Sequence, residues 1–235
     1  MGVSAKFIDA LNKAGVENKY KLKNLRTICS TGSPLSKESF EYIYKNIKKD
    51  VHLSSISGGT DIVSCFVLGN PYESVNSGEI QNKGLGMNVK IFNEKGNFIK
   101  NKKGELVCVN PFPSMPLKFW NDKKDEKFKN AYFNKYKNVW HHGDFAKITN
   151  NGGFVIFGRS DTTLNPGGVR LGTAEIYNVV EKFEEIQESI VIGQSWENDI
   201  RIILFVILIS CSGNYDEEQN YGEYIRPIFW GNSGG

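Results

Sequence analysis

The stretch GRSDTTLNPGGVRLGTAEI, residues 158–176, sets Arg159 and Arg170 eleven residues apart, with Asp161 and Asn165 between them and Gly167-Gly168 beside the second arginine. Guanidinium forks suit phosphate and hydroxyl recognition. The glycines allow swivel and leave bare backbone that a ligand can approach. This much arginine, asparagine and glycine in order is unusual for a random surface loop. The chain changes character on either side of it, so a hinge and domain boundary are expected near residue 160.

Downstream, GTAEIYNVVEKFEEI reads as an amphipathic helix with Ile176, Val179, Val180 and Phe183 on one side. ESIVIGQ and IRIILFVILIS follow as strands, and the tail from 212 to 235 shows no period. Upstream, from about 62 to 158, short apolar runs alternate with turn signals, as in GMNVKIF, GELVCV and GGFVIFG. Asn93-Glu94-Lys95-Gly96 is a candidate hairpin loop, and a small antiparallel sheet or barrel is expected there. Before that, Val3, Phe7, Ala10, Leu11 and Ala14 fall at helical spacing over 3–14. LRTICSTGSP (25–34) reads as a strand into a turn. Ser36 is placed to cap a helix with Phe40, Ile43, Tyr44 and Ile47 on its stripe, and VHLSSIS (51–57) is a second strand. Helix–strand–helix–strand order points to the end of an α/β domain.

The 235 residues are 40% hydrophobic and 23% charged, with a net charge of +3. That charge is too mild, and its lysines too mixed with acids, to point to nucleic acid. No secretory leader is read in MGVSAKFIDALNKAG, and the longest apolar run (200–211) contains an arginine and is too short to span a bilayer as a helix. Cys29, Cys65, Cys108 and Cys211 form no CxxC pair and sit in or beside apolar runs, so buried reduced thiols in a cytoplasmic protein are expected.

Four stretches offer chemistry. In VWHHGDFAKI (139–148), an extended strand would send His141 and His142 to opposite faces, which argues against a shared metal ion. Asp144, after Gly143, ends an apolar run where a carboxylate can accept two hydrogen bonds from a vicinal diol; taken alone, such an Asp is more often a turn residue. Gly32, Ser33 and Pro34 in STGSPLSK make a tight turn after a strand, but the segment fails the phosphate-loop pattern. In SGGTDI (57–62), Gly58-Gly59 permits close backbone approach, Thr60 offers a hydroxyl to a phosphate and Asp61 a hard oxygen to Mg2+.

Taken in order, LSSISGGTDIVSCF, GEIQNKGLGM, GELVCVNPFPSMP, FWNDK, AYFNKYKNVWHHGDF and GRSDTTLNPGGVRLGTAEIYNVVE resemble the adenylate-forming acyl-CoA synthetase superfamily, in particular its acetoacetate-activating branch, over residues 1–209. The resemblance implies ATP, Mg2+ and CoA as co-substrates and acetoacetate as the acid. It places Gly32, Ser33 and Pro34 along the adenine, Thr60 on the α-phosphate, Asp61 on Mg2+ and Asp144 and Arg159 on the ribose. It makes Asp161 the hinge, gives Asn165 a nucleotide-side role, sets Gly168 beside the pantetheine arm and turns Arg170 to phosphate. Acetate-specific relatives carry a bulky aromatic where this chain has Gly58, which implies a roomier acyl pocket.

The implied architecture is an α/β end of a large N-terminal domain (1–61), a small antiparallel sheet or barrel (62–158), a hinge (159–162), a partial α+β C-terminal domain (163–211) and a divergent tail (212–235). The resemblance finds no counterpart for the family's lysine-ending phosphate loop or its C-terminal adenylation lysine. A truncated enzyme that makes no acyl-adenylate alone is therefore expected. A non-catalytic nucleotide- or CoA-binding module, or a ligase for another short-chain acid, are the other readings.

Overall fold

The computed structural model describes residues 1–160, 163–164, 171–180, 182–183, 185–196, 199–208 and 226–229. Its first strand, β1 (Gly2–Ser4), corrects the expectation of a helix from residue 3. Ser4 is extended and its side chain accepts a hydrogen bond from the Phe7 amide, so helix α1 (Ala5–Lys13) begins only after it. Ala5 and Ile8 are its buried residues, and Phe7 faces outward at 44% exposure. The strand residue Val3 had been counted into the helical stripe, which misplaced the apolar face.

β2 (Thr27–Thr31) follows, then α2 (Lys37–Tyr42), capped by Ser36 through the Ser39 amide as expected. The helix widens into a π-helical turn over Ile43–Ile47, so that Phe40, Tyr42 and Ile43 are buried while Tyr44 and Ile47 only pack at the margin. β3 (His52–Ser55) completes a parallel sheet in the order β1-β2-β3, with Thr27 opposite His52 and Ser30 opposite Ser55.

The chain then turns antiparallel. β4 (Ser57–Gly59), β5 (Ser64–Leu68) and β6 (Asn82–Lys83) form one sheet. β7 (Val89–Phe92), β8 (Gly104–Cys108), β9 (Trp140–Ile148) and β10 (Phe154–Arg159) form another in the order β10-β9-β8-β7. An Ile80–Phe154 bridge joins the two. Every residue of β8 is buried, which is why GELVC shows no apolar–polar alternation. The Asn93–Gly96 turn forms, with the Asn93 side chain accepting from the amides of Lys95 and Asn97. Only one bridge, Phe92–Phe98, follows it, because β7 pairs along its length with β8. Helix α3 (Glu126–Tyr132) lies in the β8–β9 connection. Phe66, Val89, Ile91, Leu106, Trp140 and Phe154 sit in the shared core.

Residues Met1–Gly158 and Arg159–Gly235 are two compact units. In the second, β11 (Thr163–Leu164) pairs antiparallel with β12 (Leu171–Gly172), and α4 (Thr173–Val180) follows. β13 (Ile186–Trp196), β14 (Asp199–Leu208) and β15 (Arg226–Phe229) form an antiparallel sheet in that order. Ile176 and Val180 are buried against Val191, Ile202 and Val206, whereas Val179 and Phe183 are exposed. Positions four apart share a helix face, and Phe183 lies past the end of α4. β15 falls in the tail for which no structure was expected. It joins the sheet by backbone pairing at an outer position, where Pro227 is tolerated.

Among the described residues no helix is long and apolar enough to cross a membrane. Cys108 is buried as expected, but Cys29 and Cys65 are only half-buried, and Cys211 lies outside the described residues. Burial pushes the Cys65 and Cys108 thiols up, which keeps them protonated and unreactive near neutral pH.

Candidate nucleotide site

In α/β sheets, ligands gather at the carboxyl ends of parallel strands. Two of the predicted loops leave from such ends. Gly32-Ser33-Pro34 follows β2, with Gly32 at φ +88°, a value only glycine adopts without strain. Beside it, the end of β3 is tied to β2 by the Ile56 amide on the Ser30 carbonyl (2.9 Å), and the chain continues into β4 and the turn Gly59–Val63. Ile62 is fully buried and anchors that turn, so Thr60 and Asp61 stand exposed at its tip. Val63 closes it at φ +49°, a strained angle for a β-branched residue.

Asp144 reaches the site through a β-bulge. Val107 pairs with His141 and Glu105 with Phe145, so four steps along β9 oppose two along β8. Gly143 sits in the bulge at φ +85°. The extra residues break the alternation, and His142, Gly143 and Asp144 are all buried in succession. The two histidines do diverge, though neither simply faces solvent. His141 Nε2 lies 2.9 Å from Glu105 Oε2, and Lys135 forms an ion pair with the other oxygen of the same carboxylate. His142 Nδ1 accepts from the Trp140 indole N–H at 3.5 Å, and its Nε2 faces the Gly58 carbonyl at 3.3 Å and Asp144 Oδ2 at 3.9 Å. An indole N–H can only donate, so the His142 proton resides on Nε2.

Lys135→Met removes the ion pair from the 2%-exposed Glu105, whose carboxylate keeps its contact with His141. The expected loss is about 2–3 kcal/mol, below the ~3–5 for fully buried pairs because the Lys135 side chain is partly wet. Urea unfolding checks this; an unchanged midpoint would show that Glu105 does not depend on the lysine.

Asp61 is held from the side. The Tyr132 hydroxyl donates to Asp61 Oδ2 at 2.6 Å, and the Tyr132 ring stacks on Trp140 at 3.7 Å and 15°. Sequence reasoning passed over Tyr132, Trp140 and His142 as functional residues. The available signal was Gly143, whose freedom of backbone marks a break in the strand.

Gly58 has a local reason to be glycine. A Cβ there would lie 2.1 Å from the Ser64 carbonyl oxygen and 2.6 Å from the Cys65 Cα, both backbone of β5. Gly58→Ala is therefore expected to destabilise the chain by about 1–3 kcal/mol through forced backbone movement. A thermal melt indistinguishable from the parent would contradict this. A bulky aromatic at 58 would first strain the β4–β5 hairpin, so pocket size is not the sole demand on this position.

Asp161, Asn165, Gly168 and Arg170 lie outside the described residues, and Arg159 is the exposed last residue of β10. Among the described residues no group of three or more His, Cys, Asp or Glu side chains could hold a metal ion. Asp61 alone fits the mode in which one carboxylate and substrate phosphates share a hydrated Mg2+.

No family model matches the chain. An acetoacetyl-coenzyme A synthetase of Rhizobium meliloti is 58% identical over 209 residues, covering 88% of this chain and 32% of that protein. The Xenopus tropicalis acetoacetyl-CoA synthetase is 48% identical over 210 residues, 88% of this chain and 31% of that one. In structure, the Streptomyces lividans acetoacetyl-CoA synthetase superposes with a TM-score of 0.78 at 39% identity, over 92% of this chain and 33% of that chain. The chain is homologous to part of the acetoacetyl-CoA synthetases. It spans about a third of the length of the acetoacetyl-CoA synthetases it matches. An anthranilate CoA ligase in complex with anthranoyl-AMP shares the fold, with a TM-score of 0.69 at 19% identity. The fold of the described residues is thus shared with part of each of these two enzymes.

Proposed function

We propose that this chain supplies the nucleotide-facing part of an acetoacetate–CoA ligase. The observation that carries the reading is the pairing of the exposed Thr60-Asp61 turn with the buried Asp144 bulge, in a chain homologous to acetoacetyl-CoA synthetases. In the proposed reaction an acetoacetate carboxylate oxygen attacks the α-phosphorus of ATP. The bond to pyrophosphate breaks, leaving acetoacetyl-AMP. The CoA thiol then attacks the acyl carbon and gives up its proton; the acyl C–O bond to the phosphate breaks, and AMP departs as the thioester forms.

The residues divide this work by chemistry. Gly32, Ser33 and Pro34 would lie along the adenine. Thr60 would donate its hydroxyl to the α-phosphate, and Asp61 would hold Mg2+, which neutralises phosphate charge when bound. Asp144 would accept from both ribose hydroxyls, with Arg159 beside them. Asn165 would support the nucleotide, Asp161 would serve as hinge, Gly168 would flank the pantetheine arm and Arg170 would face phosphate. Gly58 would leave room for an acid longer than acetate. A cytoplasmic site of action accords with the free thiols of Cys29, Cys65 and Cys108.

The test is competition between non-hydrolysable acyl-sulfamoyl adenosines. The acetoacetyl analogue is expected to bind more tightly than the acetyl analogue. Equal or reversed affinities would remove acetoacetate as the acid while leaving the nucleotide site standing.

A further inference from the structure

Asp61 and Asp144 stand on different sheets, one on the turn between β4 and β5 and the other on the β9 bulge. A single run of side chains connects them. The Tyr132 hydroxyl binds Asp61 Oδ2 at 2.6 Å, and the Tyr132 ring lies flat on Trp140 at 3.7 Å. The Trp140 N–H meets His142 Nδ1 at 3.5 Å, and His142 Nε2 lies 3.9 Å from Asp144 Oδ2 and 3.3 Å from the Gly58 carbonyl. The path has a rigid middle. Trp140 is 1% exposed, the His142 ring stands edge-on to buried Phe66 at 4.8 Å, and a Cβ on Gly59 would come within 2.8 Å of that imidazole. A close-packed interior of this kind does not let rings swing.

We propose that Tyr132 and His142, seated on Trp140, are positioning residues that fix the spacing between the Asp61 and Asp144 carboxylates. The inference rests on the nucleotide reading above. The α-phosphate and the ribose diol of one nucleotide are themselves at a nearly fixed separation. Carboxylates that must serve both therefore need a set distance, and misplacement by about 1 Å can cost ~100-fold in rate. Tyr132 would hold the phosphate side of that gauge and His142 the ribose side. Neither needs to touch the substrate.

The experiment uses the 235-residue chain with Tyr132→Phe, Trp140→Phe, His142→Phe and the donor-retaining His142→Gln. Amide hydrogen exchange is followed without ligand, and AMP and ATP affinities are measured with and without Mg2+. Tyr132→Phe keeps the stack and loses only the hydroxyl. It is expected to speed exchange at 59–63 at unchanged global stability and to cut the Mg2+-dependent gain in ATP affinity by about tenfold. AMP affinity should move less than twofold in that variant, by about the scatter of such measurements. His142→Phe is expected to weaken AMP instead, and His142→Gln to recover most of the loss. Trp140→Phe should speed exchange in both 59–63 and 142–145. Unchanged exchange at 59–63 in Tyr132→Phe overturns the proposal, as does an equal loss of AMP and Mg2+–ATP binding in every variant. If the parent chain binds no nucleotide, the nucleotide reading fails. The exchange data then decide the positioning role alone: a rise confined to the mutated residue's own element overturns it, and a rise in both segments upholds it.

Discussion

Asp144→Ala is expected to weaken AMP binding by at least about 100-fold. Two charge-assisted hydrogen bonds from one carboxylate to a vicinal diol are worth roughly 1.5–3 kcal/mol each, and each ~1.4 kcal/mol is a factor of ten. The site amplifies this, because Asp144 is buried and strengthens every bond it makes. Calorimetry with AMP and with its 2′,3′-dideoxy form separates the hydroxyl bonds from general damage. The deoxy ligand should bind the parent chain as weakly as AMP binds the variant. The variant should not distinguish the two ligands. A variant that still prefers AMP would move the ribose contact away from Asp144.

The largest expected loss of stability comes from Trp140→Ala, at about 3–5 kcal/mol. Trp140 is fully buried and contacts four aromatic rings: Phe112 at 5.3 Å, Phe128 at 6.2 Å, Tyr132 at 3.7 Å and Phe133 at 5.9 Å. Removing the indole leaves a cavity that these rings close only in part. The loss is a large share of the ~5–15 kcal/mol that holds a typical domain together. Guanidinium unfolding followed by far-ultraviolet circular dichroism measures it. Trp140→Phe should lose much less, since the ring contacts partly survive. A shift below about 1 kcal/mol for the alanine variant would mean the aromatic cluster collapses into the space.

The parts of the fold set by short-range rules were legible in the chain. Ser36 caps its helix, LRTICSTGSP becomes β2 and its turn, and the two long apolar runs pair as β13 and β14. Features that depend on a partner element were not. Val3 has an apolar side chain at helical spacing, yet it pairs with Ser30 in a parallel sheet. The π-helical turn at Ile43–Ile47 rotates an apolar stripe that a regular helix would have kept straight. β15 exists through its backbone bonds to Ile203–Val206, which no side-chain period announces.

The site divides in the same way. Thr60, Asp61 and Asp144 stood out by residue type beside glycine. Their supports did not, because Tyr132 lies 71 residues from Asp61 and His142 lies 84 from Gly58. The strand rule that sends adjacent residues to opposite faces also fails at the Gly143 bulge, where His142, Gly143 and Asp144 are buried in succession. A rule of period two cannot foresee inserted residues.

The most direct test of the central claim is a map of backbone amide shifts as AMP is added to the isotope-labelled chain. Perturbations concentrated at 32–34, 58–61 and 142–145 are the predicted result. Perturbations spread over the surface, or gathered instead in the polar groove lined by Glu79, Asn101, Lys147 and Thr149, would contradict the assignment of the nucleotide to this site.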